Sequence, residues 1–213
     1  MANRKPAKSG ETAALGLRAH SGWAALVVAT GPLNSPIVVD RRRIELIDKT
    51  AGGMAQPYHA AEGMDLQQAG ELIDTCTNQT RKMAREAFRE VITACSVKHF
   101  KVIGCGILLG SGRPLGTLES TLASHTLIHT AEGELYRGAL LAAARSSRLA
   151  ITSLKERELF ERAAAALGLP EEELQSRISE MGRPLGPPWT QDQKHATLIA
   201  WMALHAMSQM EHA

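Results

Sequence analysis

The sequence predicts an α/β domain on a mixed five-stranded sheet, a three-strand antiparallel meander extended by two parallel strands and flanked by helices. Three observations predict it. Apolar runs separated by turn residues follow one another directly between Thr12 and Asp48. A long helical period then leads to another apolar run, His99 to Leu109, and a second helical period leads to a short one, Leu149 to Leu154. Strands joined by tight turns pair antiparallel, and strands joined through a helix suit parallel pairing.

In the meander, Ala13 to Leu17 is a short apolar strand ending near Ala19-His20-Ser21-Gly22, Trp23 to Ala29 is the second, and the third runs from Ile37 to Ile47. Gly22, Gly31-Pro32 and Asn34-Ser35-Pro36 supply the turns. Lys49 to Met64 contains Gly52-Gly53 and Pro57 and has no period, so it reads as a long loop. Asp65 caps a helix to about Cys95, whose apolar positions are Leu66, Ala69, Ile73, Cys76, Met83, Ala87, Val91 and Cys95. Its other face carries Arg81, Lys82, Arg85 and Arg89, either a solvated face partnered by Glu86 and Glu90 or a phosphate-facing stripe.

His99 to Leu109 reads as a strand buried on both faces, with Gly104 and Gly106 allowing close backbone approach. Gly110-Ser111-Gly112-Arg113-Pro114 ends it but lacks the Gly-Lys-Ser/Thr ending of a phosphate loop. A second helix is expected from Leu118 to Arg145, a fifth strand at Leu149 to Leu154, and further helices over Lys155 to Gly168, from Pro170 through Met181, and from the cap Thr190 to about Met210. Gly-Arg-Pro-Leu-Gly occurs at Gly112 to Gly116 and again at Gly182 to Gly186, too short a repeat to define a structural unit.

At 213 residues and 44% hydrophobic, the chain can bury one ordinary core, read as a single domain over residues 12–213 behind a disordered basic tail at 1–11. A net charge of +2 gives no strong polyanion-seeking field, and an aromatic share of 4% argues against a base-stacking platform. Cys76, Cys95 and Cys105 lack zinc-type spacing and read as core thiols of a reducing cytoplasm. No apolar run reaches the roughly 18 residues that argue a membrane span, so no membrane partner is expected. Trp189 and Trp201 read as core anchors. The Ala- and Met-rich final helix offers either a homodimer face or a core face.

The element order from Leu15 to Ala206 resembles the ribonuclease H-like fold, in particular the RuvC-type Holliday-junction resolvases. Gly16-Leu17 followed by Gly22-Trp23-Ala24 is similar to their opening, Tyr136-Arg137-Gly138-Ala139-Leu140 to their central helix, and Asp192-Gln193-Lys194-His195-Ala196 to their closing Asp-x-x-Asp-Ala helix. The resemblance implies a nucleic-acid partner and dimerisation. It also implies carboxylates holding two divalent metals for in-line attack on phosphate. The first-strand Asp falls here at Arg18, the fourth-strand acid near Gly104 or Cys105, and the final-helix pair at Asp192 and His195. Ordinary two-metal cleavage is therefore not expected.

The residues leave three functions open. In the first, Arg18, Arg113 and Arg183 converge on the former catalytic mouth as an anion pocket for a nucleic-acid backbone, with Arg85 and Arg89 on the helix stripe and the Arg41-Arg42-Arg43 run nearby. In the second, a hydrolase or nuclease uses a rebuilt site. Its metal ligands are His125, His129 and Glu132, spaced on one helix face, with His20 or His195 as a further ligand, and Asp192, His195 and Glu132 carry the catalysis. A divalent metal is the one cofactor so implied. The third is a non-catalytic protein-interaction scaffold.

Overall fold

The computed structural model describes residues 10–48 and 54–211. Five strands, β1 (Glu11–His20), β2 (Trp23–Thr30), β3 (Ile37–Glu45), β4 (Phe100–Leu109) and β5 (Ala150–Lys155), form one sheet in the order β3-β2-β1-β4-β5. The β1–β2 and β2–β3 pairs are antiparallel, and β1–β4 and β4–β5 are parallel, as the connections predict. The expected tail at 1–11 lies outside the described residues up to residue 9, and β1 already begins at Glu11.

Seven helices surround the sheet among the described residues: α1 (Pro57–Ala60), α2 (Leu66–Val97), α3 (Leu118–Leu122), α4 (His125–Ser146), α5 (Leu159–Leu167), α6 (Glu171–Met181) and α7 (Gln191–Glu211). One face packs Leu15, Leu17, Leu26 and Ile107 against Phe88 and Val91 of α2 and Tyr136, Ala139 and Leu140 of α4. The other lies under α7. A Cβ on Gly16 would fall 1.9 Å from the Ala196 carbonyl oxygen, and one on Gly106 would fall 2.3 Å from that of Ile199. Helix α7 thus rests almost backbone to backbone on β1 and β4, and α5 and α6 pack outside it through Leu159, Ala163, Leu174 and Ile178. All three cysteines are buried and free.

Several elements differ from expectation. Residues 49–53 of the expected loop lie outside the described residues, and the remainder contains α1. Asp65 caps α2 by accepting from Gln67 N and Gln68 N, but beyond Cys76 the buried stripe runs through Thr80, Ala84 and Phe88, leaving Met83 and Ala87 at its margin and Leu66 exposed. The predicted second helix is broken at Ala123 and Ser124. Thr117 caps α3, and extended Ser124 restarts the chain so that His125 is the first residue of α4. Lys155 to Gly168 begins as the end of β5 and a 3-10 turn before α5.

At α7, Thr190 N donates to Gln193 Oε1 (3.0 Å) and Gln193 N to Thr190 Oγ1 (3.4 Å), a reciprocal cap. Residues Ala196 and Leu198 to Leu204 are all buried, so this stretch of the Ala- and Met-rich helix is core. Trp201 is buried with Nε1 on the Leu33 carbonyl (2.7 Å), and Trp189 Nε1 donates to the Ile178 carbonyl (3.0 Å). No helix of the described residues is long and apolar enough to cross a membrane.

Candidate functional site

Arg18 lies near the C-terminal end of β1, on the face covered by α7. Its Nε and Nη2 each lie 2.8 Å from Glu156 Oε1, and Nη1 donates to Asp192 Oδ1 at the start of α7. His195, one turn into α7, brings Nδ1 to 3.0 Å from the same Glu156 oxygen. His20 Nε2 lies 3.0 Å from Asp192 Oδ1 and 3.2 Å from Arg18 Nη1, stacked flat on Trp23 at 4.3 Å, with the Arg43 guanidinium over the same indole at 4.1 Å. A guanidinium cannot accept, so neutral His20 either donates to Asp192 or accepts from Arg18 through that one nitrogen.

Burial by itself would raise the Glu156 carboxyl, but the hydrogen bonds and charge of Arg18, with His195, outweigh it and hold the group below its ordinary value. Burial, and then the Arg18 charge, lower His20. Glu156 is absent from the sequence-based site. Its run of Lys, Glu, Arg and Glu at the end of β5 resembles solvated surface.

The β1–β4 register pairs Leu17 with Ile107, so the fourth-strand position beside Arg18 is at Leu108 and Leu109, not at Gly104 or Cys105. Those leucines line a cleft of about 460 Å³ with Arg18, Arg137, Glu156 and His195. A two-metal centre does not fit this position: its centre is a guanidinium bonded to the two carboxylates that remain, and its β4 wall is aliphatic.

A narrower cleft of about 210 Å³ adjoins it, lined by His20, His129, Glu132, Tyr136 and Arg137. Arg137 borders both. Its guanidinium occupies space left by two glycines, since a Cβ on Gly110 or Gly133 would fall 2.5 or 2.4 Å from it, and it pairs with Glu134 (2.9 Å). Gly133, one helical turn before Arg137, is the sequence signal for this niche.

Glu132 has a different setting. It is 3% exposed, and its Oε1 accepts from Tyr58 N (2.8 Å) and His59 N (3.2 Å) in α1 and lies 3.4 Å from His59 Nδ1. Burial raises its carboxyl despite these bonds, and Oε2 has no hydrogen-bond partner among the described residues. Tyr136, one turn later, donates to the Ala55 carbonyl (2.8 Å), so the two side chains tie the 54–60 segment to α4. His125 and His129 meet as their spacing predicts, Nε2 to Nε2 at 3.1 Å, and the third ring beside them is His59.

The expected single site is therefore two clusters. His59, His125 and His129 form the group close enough to share an ion among the described residues, whereas Asp192 and His195 belong to the Arg18 cluster and Glu132 stands behind His59.

The expected convergence of Arg18, Arg113 and Arg183 is also corrected. Arg183 pairs with Glu180 (2.8 Å), next to Leu185, which packs over Val27 and Val38, while Arg113 is exposed on the loop beyond β4. The cations lining the larger cleft are Arg18, Arg137 and Arg157. Arg85 and Arg89 project from α2 with Arg81 and Lys82, and no ion pair joins them to Glu86 or Glu90 among the described residues. The Arg41 to Arg43 run is spent internally: Arg41 on the Leu185 carbonyl (2.9 Å), Arg42 on Asp40 and Arg43 on Glu45 (2.5 Å).

Among solved structures, the chain is similar to Thermus thermophilus RuvC in complex with Holliday junction substrate, with a TM-score of 0.52 and 11% identity over 93% of this chain and 96% of that one. A second T. thermophilus RuvC structure gives 0.49 and 10% over the same shares, and the yeast mitochondrial Holliday junction resolvase Ydc2 gives 0.46 and 12% over 96% of this chain and 81% of that one. No protein-family model and no curated protein sequence matches. The chain has the ribonuclease H-like fold in its RuvC-like form.

Proposed function

We propose that this protein is a nucleic-acid-associated member of the ribonuclease H-like fold that binds a phosphate backbone across the cleft at the ends of β1 and β4, without two-metal cleavage. The observation that carries the reading is Arg18 bonded to both Asp192 and Glu156. Two-metal cleavage needs carboxylates free to hold cations on both sides of a phosphate. Here the cation is a side chain, and it uses the carboxylates for its own neutralisation.

The binding surface in this reading is the rim, not Arg18 itself. Arg137 and Arg157 line the cleft, and Arg113 follows the Gly110-Ser111 edge of it. Each offers planar donors suited to phosphate oxygens. The RuvC structure it resembles was solved with a Holliday junction, which supports nucleic acid as the partner class. Arg85 and Arg89, exposed on α2 and without an ion pair among the described residues, are a second stripe for a longer or branched backbone.

Fluorescence anisotropy with labelled four-way junction, duplex and structured RNA tests this. Affinity should fall steeply with salt, and Arg137→Ala, Arg157→Ala and Arg113→Ala should each lower the logarithmic salt slope by about one. Arg183→Ala, held by Glu180 outside the cleft, should change neither. Absence of binding to all three probes at low salt would overturn the proposal.

A further inference from the structure

The structure assigns a transition-metal site to His59, His125 and His129, with Glu132 as the residue that orients His59. Two elements far apart in sequence build it: His125 and His129 occupy successive turns at the start of α4, and His59 is delivered by α1, whose backbone N–H groups are fixed on Glu132. One nitrogen from each ring lies within 4.8 Å of the others. The His125 and His129 Nε2 atoms are 3.1 Å apart. Two imidazoles on one tetrahedral zinc, each at about 2.0–2.1 Å, hold their nitrogens about 3.3 Å apart. Closing the wider gaps takes a side-chain rotation, which the exposed His125 and His129 rings are free to make.

Glu132 supplies a second, independent observation. A metal-bound histidine ordinarily donates its other ring N–H to a carboxylate or carbonyl, which fixes the tautomer and strengthens the ligand. Glu132 Oε1 stands at that place, 3.4 Å from His59 Nδ1, and leaves Nε2 for the ion. The carboxylate is almost wholly buried, with Oε2 unpartnered among the described residues, an arrangement that costs stability unless a nearby positive charge offsets it. Three neutral imidazoles select zinc or another first-row transition ion over Mg²⁺ or Ca²⁺ and leave a coordination position for water or an anionic oxygen. His129 also lines the narrower cleft, so that position borders the rim. The site does not depend on nucleic-acid binding and does not involve Arg18.

The test is zinc titration of the full chain, carrying no purification tag and stripped with chelator, followed by Co²⁺ substitution. One Zn²⁺ per chain is expected, with Co²⁺ giving the visible absorption of a four-coordinate ion and Mg²⁺ not competing. His59→Ala and His125→Ala should each weaken zinc at least about 100-fold. Glu132→Gln should weaken it about 10–100-fold. Circular dichroism separates lost ligation from lost folding, and His125 and His129, being exposed, can be replaced without disturbing the core. No stoichiometric zinc in the parent, or stoichiometric zinc surviving in the His59→Ala, His125→Ala double variant, would overturn the assignment.

Discussion

Replacing Arg18 separates an internal cation from an ordinary surface arginine. In Arg18→Met the aliphatic stem is kept, while the bonds to Glu156 and Asp192 are lost and two carboxylates are left facing each other. Removing one partner of a fully buried pair costs about 3–5 kcal/mol, and an exposed pair is worth about 0–1 kcal/mol. The side chains are 23%, 35% and 22% exposed for Arg18, Glu156 and Asp192, so solvent screens part of the charge. A loss of about 2 kcal/mol is expected, or about 4–8 °C in thermal midpoint for a chain of this size. Arg18→Asp goes further, setting a third carboxylate at the same point, and should be less stable still in chelator. Magnesium, a hard cation that imidazoles bind poorly, should then restore it by about 2.7 kcal/mol at a hundred times its dissociation constant. The assay is denaturant unfolding with chelator or with Mg²⁺. An Arg18→Met variant as stable as the parent, or a parent that gains as much from Mg²⁺ as Arg18→Asp does, would refute the reasoning.

Gly16→Ala and Gly106→Ala each force α7 off the sheet, since the new carbon meets a backbone oxygen that cannot turn aside. Each should cost about 3 kcal/mol or more, at or beyond the upper end of overpacking costs, measured by denaturant midpoint. Acid should destabilise the Arg18 cluster in two windows. His20 is lowered in the fold, so the unfolded chain binds the extra proton first and stability falls as pH drops from 6.5 towards the folded value. Glu156 is also lowered, so its contribution is present above 4.5 and is lost as pH falls through its folded value. Comparing the parent with His20→Gln and Glu156→Gln across pH isolates each window, and variants whose pH profiles run parallel to the parent's would contradict it. Thr190→Ala removes one half of the reciprocal cap on α7 and should cost about 1 kcal/mol by the same measurement, with no change in zinc binding.

The sheet was legible because its information is local. Ala, Leu and Val runs cut by Gly22 and Gly31-Pro32 define β1 and β2, and the helices between later runs set β4 and β5 parallel. The histidines of α4 were legible for the same reason, four residues apart on one helix. Their third partner was not. His59 sits in a loop without period, and tertiary bonds of Glu132 to the α1 backbone and of Tyr136 to the Ala55 carbonyl bring it there. Glu156 was missed because an acid in a charged run looks like every other solvated acid, and its partner Arg18 is 138 residues away. Resemblance placed Arg18 and Asp192 in one centre, yet what Arg18 does there depends on Glu156. The break before His125 falls at Ser124, whose extended backbone interrupts an otherwise continuous helical period.

We propose that the rim of the cleft around Arg18 binds a nucleic-acid backbone and that the Arg18 cluster does not support metal-dependent cleavage. The most direct test follows retention and scission together on one end-labelled four-way junction, incubated with saturating protein in Mg²⁺. The account predicts a salt-sensitive complex, weakened by Arg137→Ala, with the strands intact. Mg²⁺-dependent strand scission that disappears in Asp192→Asn would contradict it.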